Sequence, residues 1–242
     1  MRKRTAHGVG NPSSALFIGN SFFYYNNGVN HHLNQMLLMA DPKFKWRQVL
    51  VAISGSGLDW HDVESYFRPD ALSSFGFDPD NNIVFNTFDR LFDLAIMMDG
   101  SQSPVHPALV KSSSAFARKH CETVRKHGAT PILFETWAYA DKPGMTAPLA
   151  EAYARMGAEN DVMVIPAGQA FARSLAARPD IGLHAPDKRH PSLAGTYLSS
   201  CLIYAAIFGK SPVGLAYTAE LPREVAAHLQ TTAQDMLAAY HT

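Results

Sequence analysis

The sequence predicts an α/β fold, a mostly parallel sheet of five strands with helices on both faces. Three observations carry that prediction. Five short apolar runs recur along the chain, spaced too far apart for tight hairpins. Between them lie segments whose apolar residues return every three or four positions, so strand and helix alternate. With 242 residues and 47% hydrophobic composition, the chain can bury a sizeable core. There is no internal repeat, low-complexity tract or linker, and one domain spanning 1–242 is the simplest organisation.

The elements follow in order. Residues 1–14 are expected to be a flexible or loosely attached N-terminus. The first buried strand is 15–18 (ALFI), and Gly19-Asn20-Ser21 ends it. Val29, Leu33, Met36, Leu37 and Ala40 give 29–40 helical spacing. The second strand is 46–53 (WRQVLVAI), closed by Ser54-Gly55-Ser56-Gly57, with a short helix at 61–66. The stretch 68–82, rich in Pro, Asp, Gly, Ser and Phe, reads as a loop or insertion. Phe67, Phe75 and Phe77 would either cap a site or belong to a solvated surface feature.

A third strand at 91–98 (LFDLAIMM) runs into Asp99-Gly100-Ser101-Gln102-Ser103-Pro104. The helical pattern of 108–127 stops at Gly128, a favoured residue just past a helix end. The fourth strand is 131–135 (PILFE), followed by Trp137 and Tyr139, which either wall a cleft or pack in the core. A helix at 148–160, a fifth strand at 162–166 and helices at 167–177, 193–208 and 221–240 complete the chain.

Ser21, Gly55, Gln102 and Trp137 all directly follow predicted strands. In a parallel sheet they share the carboxyl edge, where open α/β sheets hold their sites. A serine at a strand tip, beginning a helix, sits beside free backbone N–H groups that can stabilise an oxyanion. The same residues are ordinary turn and N-cap chemistry. The far end of the chain tips the balance, because Asp187-Lys188-Arg189-His190 supplies an acid and a base. His190 can take the Ser21 proton and return it to a leaving alkoxide. Asp187, three residues earlier, can reach Nδ1 of that imidazole and fix its tautomer.

Composition excludes other classes. Lys+Arg equals Asp+Glu at 21 each, so no basic excess attracts nucleic acid. Arg2-Lys3-Arg4 reads as a solvated terminus. No apolar stretch is long enough to span a bilayer. The start lacks the apolar core of a secretory signal, so a cytoplasmic location is expected. No cofactor is expected, since neither G-x-G-x-x-G nor a P-loop is present. The histidines, His31 and His32 on different helical faces and His61, His106 and His184 without ligand spacing, give no metal site. His184 could line the pocket beside His190. Cys121 and Cys201 fall in helices and read as free buried thiols, with a disulfide left open. Of Phe22, Phe23, Tyr24 and Tyr25, some must be buried and one or two could form an acyl pocket.

These blocks resemble the SGNH/GDSL hydrolase superfamily, which carries Gly-Asp-Ser or Gly-Asn-Ser after its first strand and Asp-x-x-His near its C-terminus. Gly19-Asn20-Ser21 and Asp187-Lys188-Arg189-His190 stand at those places. The resemblance implies a flavodoxin-like three-layer α/β/α fold and a serine esterase. It also implies an oxyanion hole from the Ser21 N–H, a glycine and an asparagine. Gly55 matches the glycine block, with Gly57 as the fallback. The asparagine block departs from the family: Gly100-Ser101-Gln102-Ser103 replaces Gly-x-Asn-Asp, so Gln102 takes the asparagine's part, or Gly100 if the alignment shifts by two. The resemblance implies cleavage of short-chain or carbohydrate O-acyl esters. Acyl transfer by the same triad, or a non-catalytic flavodoxin-like binding domain, are the alternatives.

Overall fold

The apolar runs become strands, and a hairpin is added between the second and third of them. The computed structural model describes residues 12–240. Its strands are β1 (Ser14–Gly19), β2 (Arg47–Ala52), β3 (Phe75–Phe77), β4 (Ile83–Phe85), β5 (Leu94–Met97), β6 (Thr130–Phe134) and β7 (Met163–Ile165). Its helices are α1 (Ser21–Tyr24), α2 (Val29–Ala40), α3 (Val63–Tyr66), α4 (Val110–Lys126), α5 (Thr146–Asn160), α6 (Ala167–Ala177), α7 (Leu193–Phe208) and α8 (Arg223–Tyr240).

Five strands form one sheet in the order β2-β1-β5-β6-β7, and every pairing is parallel. The chain moves from β1 to β2 on one side and then returns to place β5 on the other. The strand order therefore reverses at β1, and the crevice beyond the carboxyl ends of β1 and β5 is the topological switch point. Ser21 follows β1 directly.

Alternate residues of β1 feed two cores, as a strand buried on both faces must. Ala15 and Phe17 pack with α2, α6, α7 and α8, whereas Leu16 and Ile18 pack with α3, α4 and α5. This is the three-layer arrangement. Cys121 lies in one core and Cys201 in the other, both as free thiols, so the sheet separates them and the disulfide left open by the sequence does not form. No described helix is long and apolar enough to cross a membrane.

One expectation is corrected and two open ones are narrowed. The loose N-terminus does not extend to residue 14: Ser13 and Ser14 each donate a backbone N–H and a hydroxyl to Asp93 Oδ2, and Ser14 opens β1. The rest of that expectation, 1–11, lies outside the described residues. The stretch 68–82, read as a loop or insertion, is an insertion that forms an antiparallel hairpin with the residues after it, with Phe75 opposite Phe85 and Phe77 opposite Ile83. Asp78 closes its turn by accepting from the N–H groups of Asp80 and Asn82. A loop-like composition concealed it because β3 and β4 are only three residues each and mostly exposed.

The contacts also decide between the two readings of this insertion, a cap on the site or a solvated surface feature. Phe88 packs on the guanidinium of Arg47, the first residue of β2, at 4.0 Å. Phe67 stacks on His127 at the end of α4 and meets Phe92, two residues before β5, edge-on. These contacts are all at the amino ends of the strands. The insertion is therefore on the opposite edge from Ser21 and does not cap the crevice.

Candidate active site

Asn20 sets the position of Ser21. It is the N-cap of α1, and its Oδ1 accepts from the Phe22 N–H at 3.1 Å. Its Nδ2 donates to the carbonyls of Ser56 at 2.9 Å and Asp99 at 3.2 Å. One buried amide thus ties the ends of β1, β2 and β5 together. Behind it, the His61 Nε2–H reaches the Gly19 carbonyl at 3.1 Å and Ser56 Oγ at 3.0 Å, while Nδ1 accepts from the Tyr66 hydroxyl. Burial pushes the His61 pKa down, which suits a neutral ring in that role.

Asp187 and His190 occupy the tip of a narrow loop. His184 and Pro191 pair across its base, and the Ala185 N–H donates to the His190 carbonyl. Lys188 takes the left-handed conformation at φ 66°, and Asp187 Oδ1 accepts from the N–H groups of Arg189 and His190. The loop then enters α7, where Ser192 Oγ caps the Gly195 N–H. A side chain at Gly195 would meet the Leu183 carbonyl at 2.3 Å, so only glycine lets the helix approach the loop this closely.

The two ends of the chain meet here. His190 Nε2 lies 2.8 Å from Ser21 Oγ, and Nδ1 is hydrogen-bonded to Asp187 Oδ2. That bond, with the two backbone donors, holds the Asp187 carboxyl down to about 2, so it stays ionised at any ordinary pH. The imidazole lies face to face with Tyr25, at 4.1 Å between centroids and 5° between planes, and meets Phe22 edge-on at 5.7 Å. Serine, imidazole and carboxylate are 169 and 3 residues apart in sequence and in line in space.

No family model matches the chain, and no curated protein matches it in sequence. Solved structures do match. A DUF4886 family protein from Bacteroides uniformis superposes with a TM-score of 0.66 at 16% identity, covering 95% of this chain and 96% of its own. A protein from Slackia heliotrinireducens, assigned to the SGNH hydrolases, gives 0.61 at 21% identity over 81% of this chain and all of its own. The fold is that of the SGNH hydrolases. A catalytic mutant of an acetylxylan esterase from Geobacillus stearothermophilus shares it, with a TM-score of 0.56 at 14% identity over 92% of this chain and 100% of the other. At such identities the likeness is one of fold.

Gly55, Gly57, Gly100 and Gln102 differ in what surrounds them. Gly55 lies in the turn after β2, exposed and at φ +72°, with open space where a Cβ would be. Gly57 is different: a Cβ there would meet Asp59 Oδ1 at 2.7 Å and Asp99 Oδ1 at 2.9 Å, so it serves loop packing. The Gly100 N–H is taken by the carboxylate of Asp99 at 2.7 Å. Gln102 donates one amide proton to the Tyr139 hydroxyl at 2.8 Å and keeps a second. Asp99 is buried beneath this edge, where desolvation raises its pKa against donors from Leu58, Gly100 and Ser113.

The other singled-out residues sort by burial. Trp137 is 1% exposed and stacked between Phe22 and Phe171, so it is core, and its Nε1–H holds the Arg189 carbonyl in the loop that carries His190. Phe23 is fully buried and packs against Phe17 and Phe134. Tyr139 is buried, with Arg189 over its ring at 4.0 Å. His184 is held by the Ala138 carbonyl and meets Phe171 edge-on. Sequence reasoning offered Tyr25 only as a candidate for an acyl pocket, and gave no role to Asn20, His61 or Asn26. The signal for the last was there: Asn26-Asn27-Gly28 is a run of the residues that best tolerate left-handed backbone.

Proposed function

We propose that this protein is a serine hydrolase of carboxylic esters, with Ser21 as nucleophile, His190 as general base and acid, and Asp187 as the group that orients His190. The reading rests on one observation above the others, the 2.8 Å contact between Ser21 Oγ and an imidazole whose other nitrogen is bonded to a carboxylate. A non-catalytic binding domain on the same fold has no need of that alignment.

In the proposed reaction Ser21 Oγ attacks the ester carbonyl as its proton passes to His190 Nε2. The oxyanion is received by the N–H groups of Ser21 and Gly55 and by the free amide proton of Gln102. Each such donor is worth about 100- to 1000-fold in turnover. Collapse of the tetrahedral intermediate breaks the ester C–O bond, and His190 gives its proton to the departing alkoxide. Water then resolves the acyl-enzyme by the same steps in reverse roles. Short-chain or carbohydrate O-acyl esters are the substrate class, in keeping with the acetylxylan esterase among the structural neighbours.

The test is a p-nitrophenyl ester chain-length series run on wild type and Ser21→Ala, with a serine-directed phosphonate as label. The expected result is turnover of the shortest esters, at least a thousandfold loss of kcat in the variant, and label on the peptide containing Ser21. Wild-type turnover by Ser21→Ala overturns the proposal.

A further inference from the structure

We propose that segment 25–28 is a clamp on the general base: Tyr25 is a positioning residue that holds the His190 ring, and Asn26 anchors the backbone that carries it. The inference rests on the hydrolase reading above and deepens it.

His190 needs a clamp because of where it sits. It is near the tip of a loop, its side chain is 25% exposed, and its Asp187 partner is 45% exposed. A base in such a place samples rotamers in which Nε2 does not face Ser21, and turnover falls with the misaligned fraction. Asp187 restrains only the Nδ1 edge. The Tyr25 ring covers one face of the imidazole in a parallel stack, and Phe22 presents its edge. With face, edge and Nδ1 restrained, the direction left to Nε2 is toward Ser21 Oγ.

The backbone is shaped for this purpose. Tyr25 is the C-cap of α1, with φ −58° and ψ 149°, so the chain turns out of the helix at that residue. The three residues after it are all left-handed, at φ 52°, 69° and 86° for Asn26, Asn27 and Gly28. Two consecutive non-glycine residues in that region are unfavourable and persist only where the surroundings over-determine them. Asn26 is so determined. Its Nδ2 donates to the Pro191 carbonyl and to Thr196 Oγ1, both at 2.9 Å, and its own carbonyl accepts the His32 Nε2–H at 2.7 Å. His32 Nδ1 in turn accepts from the Tyr217 hydroxyl at 2.7 Å. A backbone carbonyl can only accept, which assigns the His32 tautomer. The Pro191 carbonyl is one residue past the imidazole. Asn26 therefore grips the main chain beside His190 while its neighbour Tyr25 grips the ring. The π face of Tyr25 also lies against the cation that forms when the imidazole takes the serine proton.

The experiment compares full-length Tyr25→Leu, Tyr25→Phe and Asn26→Gly with wild type. Kinetics of p-nitrophenyl acetate hydrolysis are read beside melting temperature and the 1H–13C signals of the His190 ring. Tyr25→Leu is expected to lower kcat roughly ten- to a hundredfold with KM within twofold. Tyr25→Phe, which keeps the stack, is expected within twofold of wild type. Asn26→Gly keeps the left-handed backbone but loses both side-chain bonds, and is expected to fall with Tyr25→Leu. The His190 ring protons are expected to be shifted upfield in wild type and Tyr25→Phe and to move back in Tyr25→Leu. Wild-type kcat in Tyr25→Leu overturns the clamp, as does a loss that Phe does not restore or a His190 signal indifferent to all three changes. Failure of the hydrolase reading looks different: no turnover and no phosphonate label on Ser21 in wild type, with the NMR comparison still deciding whether Tyr25 holds the ring.

Discussion

Replacing Asn20 by Asp exchanges one NH2 for an oxygen and leaves the rest of the side chain in place, yet it should be severe. Asn20 is 3% exposed. The new carboxylate keeps the cap on the Phe22 N–H but turns its second oxygen toward the carbonyls of Ser56 and Asp99, where Nδ2 now donates at 2.9 and 3.2 Å. Leaving a buried acceptor unpaired costs about 1–3 kcal/mol, so the two carbonyls together lose about 4 kcal/mol. At 2–4 °C per kcal/mol for a chain of this size, the melting temperature should fall by roughly 8–16 °C at pH 8. The sign of the pH dependence follows from burial against two carbonyl oxygens, which raises the new carboxyl's folded pKa above its unfolded value. The folded state then holds a proton that the unfolded state releases, so the deficit grows as pH rises and shrinks in acid, where a protonated carboxyl can donate to one carbonyl. Thermal unfolding of both proteins at pH 5 and pH 8 measures it. A variant within 2 °C of wild type at pH 8, or a deficit larger at pH 5, refutes the claim that Asn20 holds the three strand ends as a donor. The SGNH resemblance admits Gly-Asp-Ser at this block, so the prediction is specific to the carbonyl pair in this chain.

Two further outcomes are expected. Glu135 is fully buried against the N–H and side-chain amide of Gln169, and desolvation pushes its carboxyl up to about 8. Between the ordinary carboxylate range and pH 8 the folded protein holds that proton, so stability falls with rising pH by up to about 1.4 kcal/mol per unit. The melting temperature of Glu135→Gln should therefore gain on wild type from pH 5 to pH 8, and parallel curves would refute the protonated state. Phe77 and Phe85 are 63% and 75% exposed on the hairpin at the amino edge of the sheet. The double change Phe77→Ser, Phe85→Ser should leave kcat and KM for p-nitrophenyl acetate within twofold of wild type. A tenfold loss would place the hairpin at the crevice.

Much of the fold was legible because its signals are local. The helices at 29–40, 167–177 and 193–208 have the residues predicted for them, since apolar spacing and terminal residues such as Gly209 decide those ends. β2, β5 and β7 came out shorter than their apolar runs and β1 longer, because pairing with a neighbour, and not hydrophobicity, sets where a strand stops. β5 keeps only four residues of an eight-residue run, those that pair with both β1 and β6. The hairpin was missed because exposed three-residue strands carry no alternation to read. Ser21 was legible as a candidate because residue type and position after a strand both point to it, and Asp187 and His190 because their residue types and three-residue spacing do. Tyr25, Asn26 and His61 were not, because what each does depends on a partner distant in the chain.

The sequence by itself determined the α/β alternation, the edge of the sheet on which the candidate site lies, and the serine, aspartate and histidine worth testing. These follow from periodicity and from the chemistry of side chains, which act over a few residues. Only the tertiary structure decided that the strand order reverses at β1, that Gly57 packs while Gly55 stands open, that the aromatic hairpin faces away from the crevice, and that Tyr25 covers the imidazole. Those are long-range outcomes, set by which buried surfaces and hydrogen-bond partners the whole chain can satisfy at once, and no local window of sequence contains them.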